Sequence, residues 1–174
     1  MDTKQPKSKR IPPARSLGGE LRVQLKKFFD GGEAHTSFDQ AVADFPPSLR
    51  GVVPQALPYS AWQILEHIRV AQRDILEFSE SEKYSALKWP DDYWVKNPEP
   101  PNDHAWDDCI RQIKEDRAAF EKLIDGMDNR NLAKPIPWGD GQNLLREAFL
   151  IGQHQSYHLG ELIVIRRLLG AWKS

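Results

Sequence analysis

The sequence predicts an all-α protein, a four-helix bundle with long proline-rich and aromatic connecting loops. Apolar residues recur at intervals of three and four over several segments, and prolines and glycines cluster between those segments. No stretch shows the strict alternation that is typical of a half-buried strand. The 174 residues are enough for one domain with a buried core. We assign residues 1–16 to a disordered basic tail and residues 17–174 to the bundle domain.

The composition of the chain excludes several classes of function. A formal net charge of −1 at pH 7 argues against nucleic-acid binding. The single cysteine, Cys109, has no partner for an internal disulfide, which fits a reducing compartment. The aliphatic run at residues 162–165 is too short to cross a bilayer, and residues 1–15 lack the apolar core of a secretory signal. We therefore expect a cytoplasmic protein that binds neither nucleic acid nor membrane.

The first helical region is predicted in two parts. A helix runs from residue 17 to about residue 29, and the Asp-Gly-Gly sequence at 30–32 interrupts it. The helix is expected to resume around residue 35 or 36. It stops at Phe45, because two consecutive prolines follow and restrict the residue before them. The linker at residues 46–59 contains four prolines and is predicted to be extended.

The second helix has a clear start and a clear buried face. Ser60 and Gln63 match a capping box, in which each side chain binds the backbone N–H of the other residue. Apolar residues then recur at steps of three and four, namely Ile64, Ile68, Ala71, Ile75 and Phe78. His67 lies three residues after Ile64 and four before Ala71. We therefore predict that His67 faces the core.

A long irregular segment is predicted from about residue 81 to residue 101. It contains four prolines and the aromatic residues Tyr84, Trp89, Tyr93 and Trp94. Loops of this length are uncommon inside compact domains and are often functional. Two interpretations follow: an aromatic flap that covers one end of the core, which we favour, or a lid over a bound substrate.

The third helix is expected to begin near Asn102 or Asp103, either of which can cap it. Its apolar face is formed by Trp106, Ile110, Ile113, Phe120, Ile124 and Met127. Arg117 occupies the one position of this face that is not apolar. The helix is predicted to end at residues 125–126, where Asp-Gly precedes a segment with two prolines.

The fourth helix is predicted to run from an N-cap at Asn143 to about Leu169, with Gly170 as its stop. Steps of three and four place seven residues on one stripe of this helix: Glu147, Ile151, His154, His158, Glu161, Ile165 and Leu168. The two histidines are therefore expected in the middle of a buried face.

His154 and His158 are one helical turn apart and project from the same face, which suits the binding of one metal ion. His67 faces the core from another helix. A buried imidazole without partners costs about 1–3 kcal/mol, and one ion coordinated by all three histidines satisfies them together. In the alternative, the bundle holds no metal and its three histidines are hydrogen-bonded.

Two segments resemble a known family. Residues 60–68 (SAWQILEHI) resemble the second-helix signature of the DinB/YfiT-like superfamily, and residues 154–162 (HQSYHLGEL), continued through residues 166–172, resemble its fourth-helix signature. The resemblance implies a bundle of up-down-down-up order with a divalent metal, zinc or nickel, held by three histidines. In this sequence those positions are His67, His154 and His158.

The resemblance also implies a range of functions. Several members of the superfamily are thiol S-transferases that use low-molecular-weight thiols, and members often form homodimers. We therefore expect a metal-dependent enzyme, similar to a thiol S-transferase or a hydrolase, that acts on a small-molecule substrate through a metal-activated nucleophile. The alternative is a metal-containing stress-response or ligand-binding module without turnover.

Three further residues are weaker candidates for this site. His35 could reach the open face of the metal, although a place on the surface is the more common outcome. Trp62 could line a substrate pocket or simply pack in the core. Glu161 stands where relatives often have glutamine; it could support a ligand, accept a proton or lie at the pocket mouth. We expect Cys109 to serve packing only.

Overall fold

The computed structural model describes residues 16–172. Within this range the chain forms five helices and no strand: α1 (Leu17–Asp30), α2 (Phe38–Val42), α3 (Ala61–Glu80), α4 (Ala105–Gly126) and α5 (Leu144–Leu168). The prediction of an all-α fold with four long helices is confirmed. The disordered tail predicted for residues 1–16 lies outside the described residues, apart from Ser16. None of the described helices has the length and apolar character needed to cross a membrane.

The helix starts follow the predicted caps at two positions and depart from them at a third. Ser60 and Gln63 form the capping box of α3, and the Asn143 side chain accepts a hydrogen bond from the backbone of α5. The N-cap of α4 is His104, whose side chain makes no capping bond. The expectation that Asn102 or Asp103 caps α4 is wrong, because Asn102 Oδ1 instead accepts the His104 N–H at 3.0 Å in a turn before the helix.

The segment between α1 and α3 differs from the sequence prediction in two ways. The helix resumes only at Phe38, because Ser37 and Gln40 form a capping box there, and it ends at Val42. The linker at residues 46–59 is not extended. It contains a 3₁₀ helix (Pro47–Leu49), whose first position is a proline, and a turn closed by a hydrogen bond from Leu57 N–H to the Pro54 carbonyl.

Helix α3 packs against both α4 and α5, and α1 also packs against α4 and α5. Glu66 contacts Cys109, and seven residues later on both helices Arg73 binds Asp116 at 3.1 Å. Contacts that advance together in this way show that α3 and α4 run parallel. An up-down-down-up order requires this of its two middle helices, and the complete order stays a prediction.

Two apolar clusters form the core, and a polar layer separates them. The first cluster includes Phe38, Trp62, Ile68, Trp106, Ile113 and Leu159. The second includes Phe29, Ile75, Phe120 and Ile151. Between these clusters α3, α4 and α5 bury polar side chains, which are Gln72, Asp116, Arg117 and Gln155, together with His158. The histidines of α5 therefore lie at the level where the core changes from one apolar cluster to the other.

The predicted stripe of α5 is buried or half-buried from Glu147 to Ile165, but the prediction for Leu168 is wrong. Leu168 is 54% exposed. In this last turn Arg166 points inward instead, and its guanidinium donates to the carbonyls of Ala41 and Ala43 at 2.6 and 2.8 Å.

The hydrogen bonds of the polar layer lead to a prediction about the free energy of unfolding. Arg117 donates to Asp30 at 3.0 Å and to the buried Gln155 Oε1 at 3.1 Å. Replacing it by methionine leaves that oxygen buried without its donor, so Arg117→Met is expected to lower the free energy of unfolding by about 1–3 kcal/mol. Urea denaturation followed by circular dichroism measures this change. Arg111→Met is the matched control on α4, because Arg111 is exposed and its ion pairs lie on the surface. Equal midpoints for the two variants would contradict the prediction.

Candidate metal centre

The structure brings three histidines together between α3 and α5. One nitrogen from each of His67, His154 and His158 lies within 4.8 Å of the other two. The Nε2 atoms of His67 and His154 are 3.0 Å apart, although the residues are 87 positions apart in the chain. His67 and His158 are buried and His154 is half-buried. The convergence therefore depends on the packing of α3 against α5, which places these two stretches side by side.

Two of the three imidazole rings are held from outside the cluster. His67 Nδ1 lies 3.0 Å from the carbonyl oxygen of Tyr93, and His158 Nδ1 lies 2.6 Å from Glu161 Oε2. Since a carbonyl and a carboxylate only accept, each Nδ1 carries the proton. The lone pair then lies on Nε2 of each ring. This is the arrangement by which proteins orient histidine ligands of metals.

The electrostatics keep these histidines neutral at neutral pH. Burial lowers the pKa of all three rings. For His154, burial and then the neighbouring His158 and His67 lower the pKa to about 3. Glu161 opposes the effect at His158, because its carboxylate favours the protonated ring. Neutral imidazole is the form that binds a metal ion.

Aromatic side chains cover the cluster on one side. The Trp94 ring stacks on the His67 ring with a centroid distance of 3.9 Å and an interplanar angle of 7°. The Tyr59 ring stacks on the Trp94 ring with a centroid distance of 5.6 Å, and the Tyr59 hydroxyl donates a hydrogen bond to Glu161. The irregular segment predicted at residues 81–101 contains no helix or strand in the structure. Three of its four aromatic residues, Trp89, Tyr93 and Trp94, lie against His67.

The donor set and its geometry fit a divalent ion such as zinc. Nitrogen ligands at about 2.0–2.1 Å in a tetrahedral arrangement are roughly 3.3 Å from one another. The observed separations, from 3.0 Å to at most 4.8 Å, bracket that value. The metal-free alternative also has a structural basis, because His154 Nε2–H can donate to His67 Nε2 at the same 3.0 Å.

The other predicted candidates occupy different places. Glu161 joins the site through His158, whereas Trp62 is buried in the first apolar cluster. His35 is not brought to the histidine cluster. Its ring nitrogens lie 2.9 Å from the Thr36 carbonyl and 3.1 Å from Ser156 Oγ, and Ser156 is about 200° around α5 from His154.

Cys109 also lies outside the histidine cluster. It is buried on α4, where burial, followed by the charge of Glu66, raises the pKa of its thiol. The thiolate is therefore disfavoured, and a nucleophilic role for this residue has no support. The packing role expected for Cys109 agrees with its place in the first apolar cluster.

Sequence reasoning missed Tyr59 as part of the site and did not connect Tyr93 or Trp94 with His67. The density of aromatic residues in the irregular segment marked this loop as unusual. Nothing in its spacing indicated which ring meets which histidine, because the contacts join segments without a shared periodicity.

Comparison with known proteins gives one match. The model of the DinB superfamily matches residues 32–162, which is more than half of the chain and includes all three histidines of the cluster. No curated protein and no solved structure matches significantly. The match starts after α1 and ends within α5, so it spans both helices that carry the histidines. The chain therefore belongs to the DinB superfamily.

Proposed function

We propose that the protein binds one divalent metal ion, zinc or nickel, through His67, His154 and His158. The observation that carries the proposal is the convergence of three neutral imidazoles, two of which are fixed at Nδ1 by outside acceptors. Hydrogen bonds at those outer nitrogens leave the inner nitrogens available as ligands. Membership of the DinB superfamily supports the same assignment.

We further propose that the bound ion serves a metal-dependent reaction on a small molecule, thiol S-transfer or hydrolysis. Three protein ligands leave at least one coordination position open, which is typical of catalytic rather than structural zinc sites. When bound, the ion would supply Lewis acidity that favours the deprotonated, nucleophilic form of a thiol or of water.

The surrounding residues have distinct tasks in this proposal. Glu161 holds the Nδ1–H of His158 and receives the Tyr59 hydroxyl, so its carboxylate fixes the plane of that ring. Trp94 covers the face of His67 and keeps water from it. A glutamine at position 161 would still accept the hydrogen bond, but the carboxylate adds a negative charge that strengthens His158 as a donor of electrons to the ion.

A cavity along the same two helices supports a small-molecule substrate, although none of the three histidines lines it. It has a volume of about 360 Å³, and its lining includes Asp74 and Tyr84 on one side and Arg146 and Glu147 on the other. Asp74 is seven residues after His67, and Glu147 is seven before His154. The cavity therefore lies about two helical turns along the same pair of helices. Its volume is within the usual range of small-ligand sites.

A homodimer is supported by the outer face of α5. Phe149, Tyr157, Val164 and Leu168 are between 43% and 67% exposed. They lie within an arc of about 100° on α5, and the centre of this arc is roughly 110° around the helix from the midpoint of the two histidines. A helix that is apolar over so much of its circumference normally has partners on both of these faces. We propose that a second copy of the chain covers this outer face.

Metal analysis is the first test of the proposal. Inductively coupled plasma mass spectrometry is expected to find close to one equivalent of zinc or nickel in the untagged wild-type protein. Substituting alanine for any histidine of the cluster removes a ligand, so His67→Ala, His154→Ala and His158→Ala are expected to lose stoichiometric metal. The matched controls are the exposed histidines, His35→Ala and His104→Ala, which should retain it. Unchanged metal content in all three cluster variants would favour the metal-free bundle.

Turnover assays separate the enzyme from the binding module. Zinc- or nickel-loaded protein is assayed with low-molecular-weight thiols and 1-chloro-2,4-dinitrobenzene, where a C–S bond replaces the C–Cl bond, chloride leaves and the thiol proton goes to solvent. Hydrolysis is assayed with p-nitrophenyl acetate. Activity should disappear with EDTA and return with the metal, and His154→Ala should lack it. Stoichiometric metal without turnover on a broad panel of thiols, electrophiles and esters would favour the module without catalysis.

The oligomeric state tests the proposed second copy. Light scattering during size-exclusion chromatography is expected to give twice the chain mass for the wild-type protein. Val164→Glu places a charge in the outer face of α5, so it is expected to give the mass of a single chain. Glu115→Gln, an exposed change on α4, is the control and should leave the mass unchanged. A single-chain mass for the wild type would contradict the homodimer.

A further inference from the structure

One carboxylate holds the aromatic loop to α3. Asp74 Oδ1 accepts the hydroxyl of Tyr84 at 2.8 Å, and Asp74 Oδ2 accepts the hydroxyl of Tyr93 at 2.6 Å. Burial, followed by the hydrogen bond to Asp74, raises the pKa of Tyr84 to about 12 and raises that of Tyr93 further. Both hydroxyls are therefore protonated donors at neutral pH. The loop is fixed at two residues by a single side chain.

Only one of these tyrosines also contacts the histidine cluster. The carbonyl oxygen of Tyr93 receives the Nδ1–H of His67 at 3.0 Å, and the next residue, Trp94, stacks on the His67 ring. Tyr93 thus binds α3 at two places, at Asp74 through its hydroxyl and at His67 through its backbone. The Tyr84 ring packs against Phe78 instead, with a centroid distance of 5.4 Å.

We propose that Asp74 is a positioning residue for the metal centre, acting through Tyr93 on His67. The carboxylate holds the Tyr93 side chain, which places the Tyr93 carbonyl opposite Nδ1 of His67 and Trp94 over the face of the ring. His67 is thereby held with the proton on Nδ1 and the lone pair on Nε2, facing His154. This inference rests on the proposed metal site and adds a residue two helical turns away from it.

The two tyrosines provide a contrast between positioning and simple anchoring. Each donates one hydrogen bond to the same carboxylate, and each is half-buried. If Asp74 only anchors the loop for stability, removal of either hydroxyl has a similar effect on the histidines. If Asp74 positions His67, only the loss of the Tyr93 hydroxyl disturbs the ring, because only Tyr93 is bound to it.

Zinc affinity is the first measurement. The variants are Tyr93→Phe, its matched control Tyr84→Phe, and Asp74→Asn, and each dissociation constant for Zn²⁺ is obtained by competition with a chromophoric chelator. Loss of support for a metal-binding histidine typically weakens binding about 10–100-fold. Tyr93→Phe and Asp74→Asn are expected to weaken it at least about tenfold, and Tyr84→Phe by less than about twofold. The visible spectrum of the Co²⁺ form should change in the same two variants.

A second measurement reads His67 directly and needs no metal. Long-range ¹H–¹⁵N correlation spectra report which ring nitrogen carries the proton. The wild type and Tyr84→Phe should show His67 protonated at Nδ1, whereas Tyr93→Phe and Asp74→Asn should show a mixture of tautomers. Circular dichroism checks that each variant is folded. If Asp74→Asn does not fold, the comparison of Tyr93→Phe with Tyr84→Phe tests the inference by itself.

The outcomes separate this inference from the proposed function. Equal effects of the two tyrosine variants on affinity and tautomer, or no effect of either, would overturn the role of Asp74. A wild-type protein that binds no zinc or nickel would overturn the metal site itself. The tautomer of His67 would then still show whether Asp74 and Tyr93 orient the ring.

Discussion

The core of this protein depends on one constraint, that each polar side chain buried between the two apolar clusters makes at least one hydrogen bond or ion pair, although Gln72 Oε1, Asp116 Oδ2 and Arg117 Nε have no partner. Arg117 reaches Asp30 and Gln155 across three helices, and Gln155 in turn donates to the Phe29 carbonyl. The histidines lie at the edge of this layer, where the same requirement applies. A polar side chain with no partner at all at this depth would weaken the fold, so the hydrogen bonds of Arg117 and Gln155 specify which side chains of α1, α4 and α5 meet.

The elements that could be predicted from the sequence are those governed by local rules. The capping box at Ser60 and Gln63 and the cap at Asn143 are interactions within four residues, and both are present. The inward direction of His67 followed from its position three residues after Ile64 and four before Ala71, and the residue is buried. At the start of α4, by contrast, the sequence offered Asn102 and Asp103 as caps, and neither caps the helix. The Asn102 side chain accepts the His104 N–H in a turn before the helix.

The candidate site also combines features that follow from local sequence rules with features that depend on how distant segments pack. The side-by-side placement of His154 and His158 is a property of one helix, and it could be predicted from their spacing. The approach of His67 depends on the register between α3 and α5, which the sequence left open until the family resemblance supplied it. The contacts of Tyr93 and Trp94 depend on the path of an irregular loop. No periodicity encodes such a path, so these residues could be recognised only as an unusual aromatic group.

The division between helices and loop has a physical consequence for the proposed metal site. The three histidines lie on α3 and α5, whose relative position is held by apolar packing on both sides of the polar layer, so this packing brings the imidazoles together. An ion bound there would connect two helices whose histidines are 87 residues apart in sequence, and its binding energy would add to the stability of the bundle. The fine orientation of His67 instead comes from the loop, through the Tyr93 carbonyl and the Trp94 ring. The packing that places the three histidines and the contacts that orient His67 thus come from different parts of the chain, whereas His158 is oriented by Glu161 on its own helix.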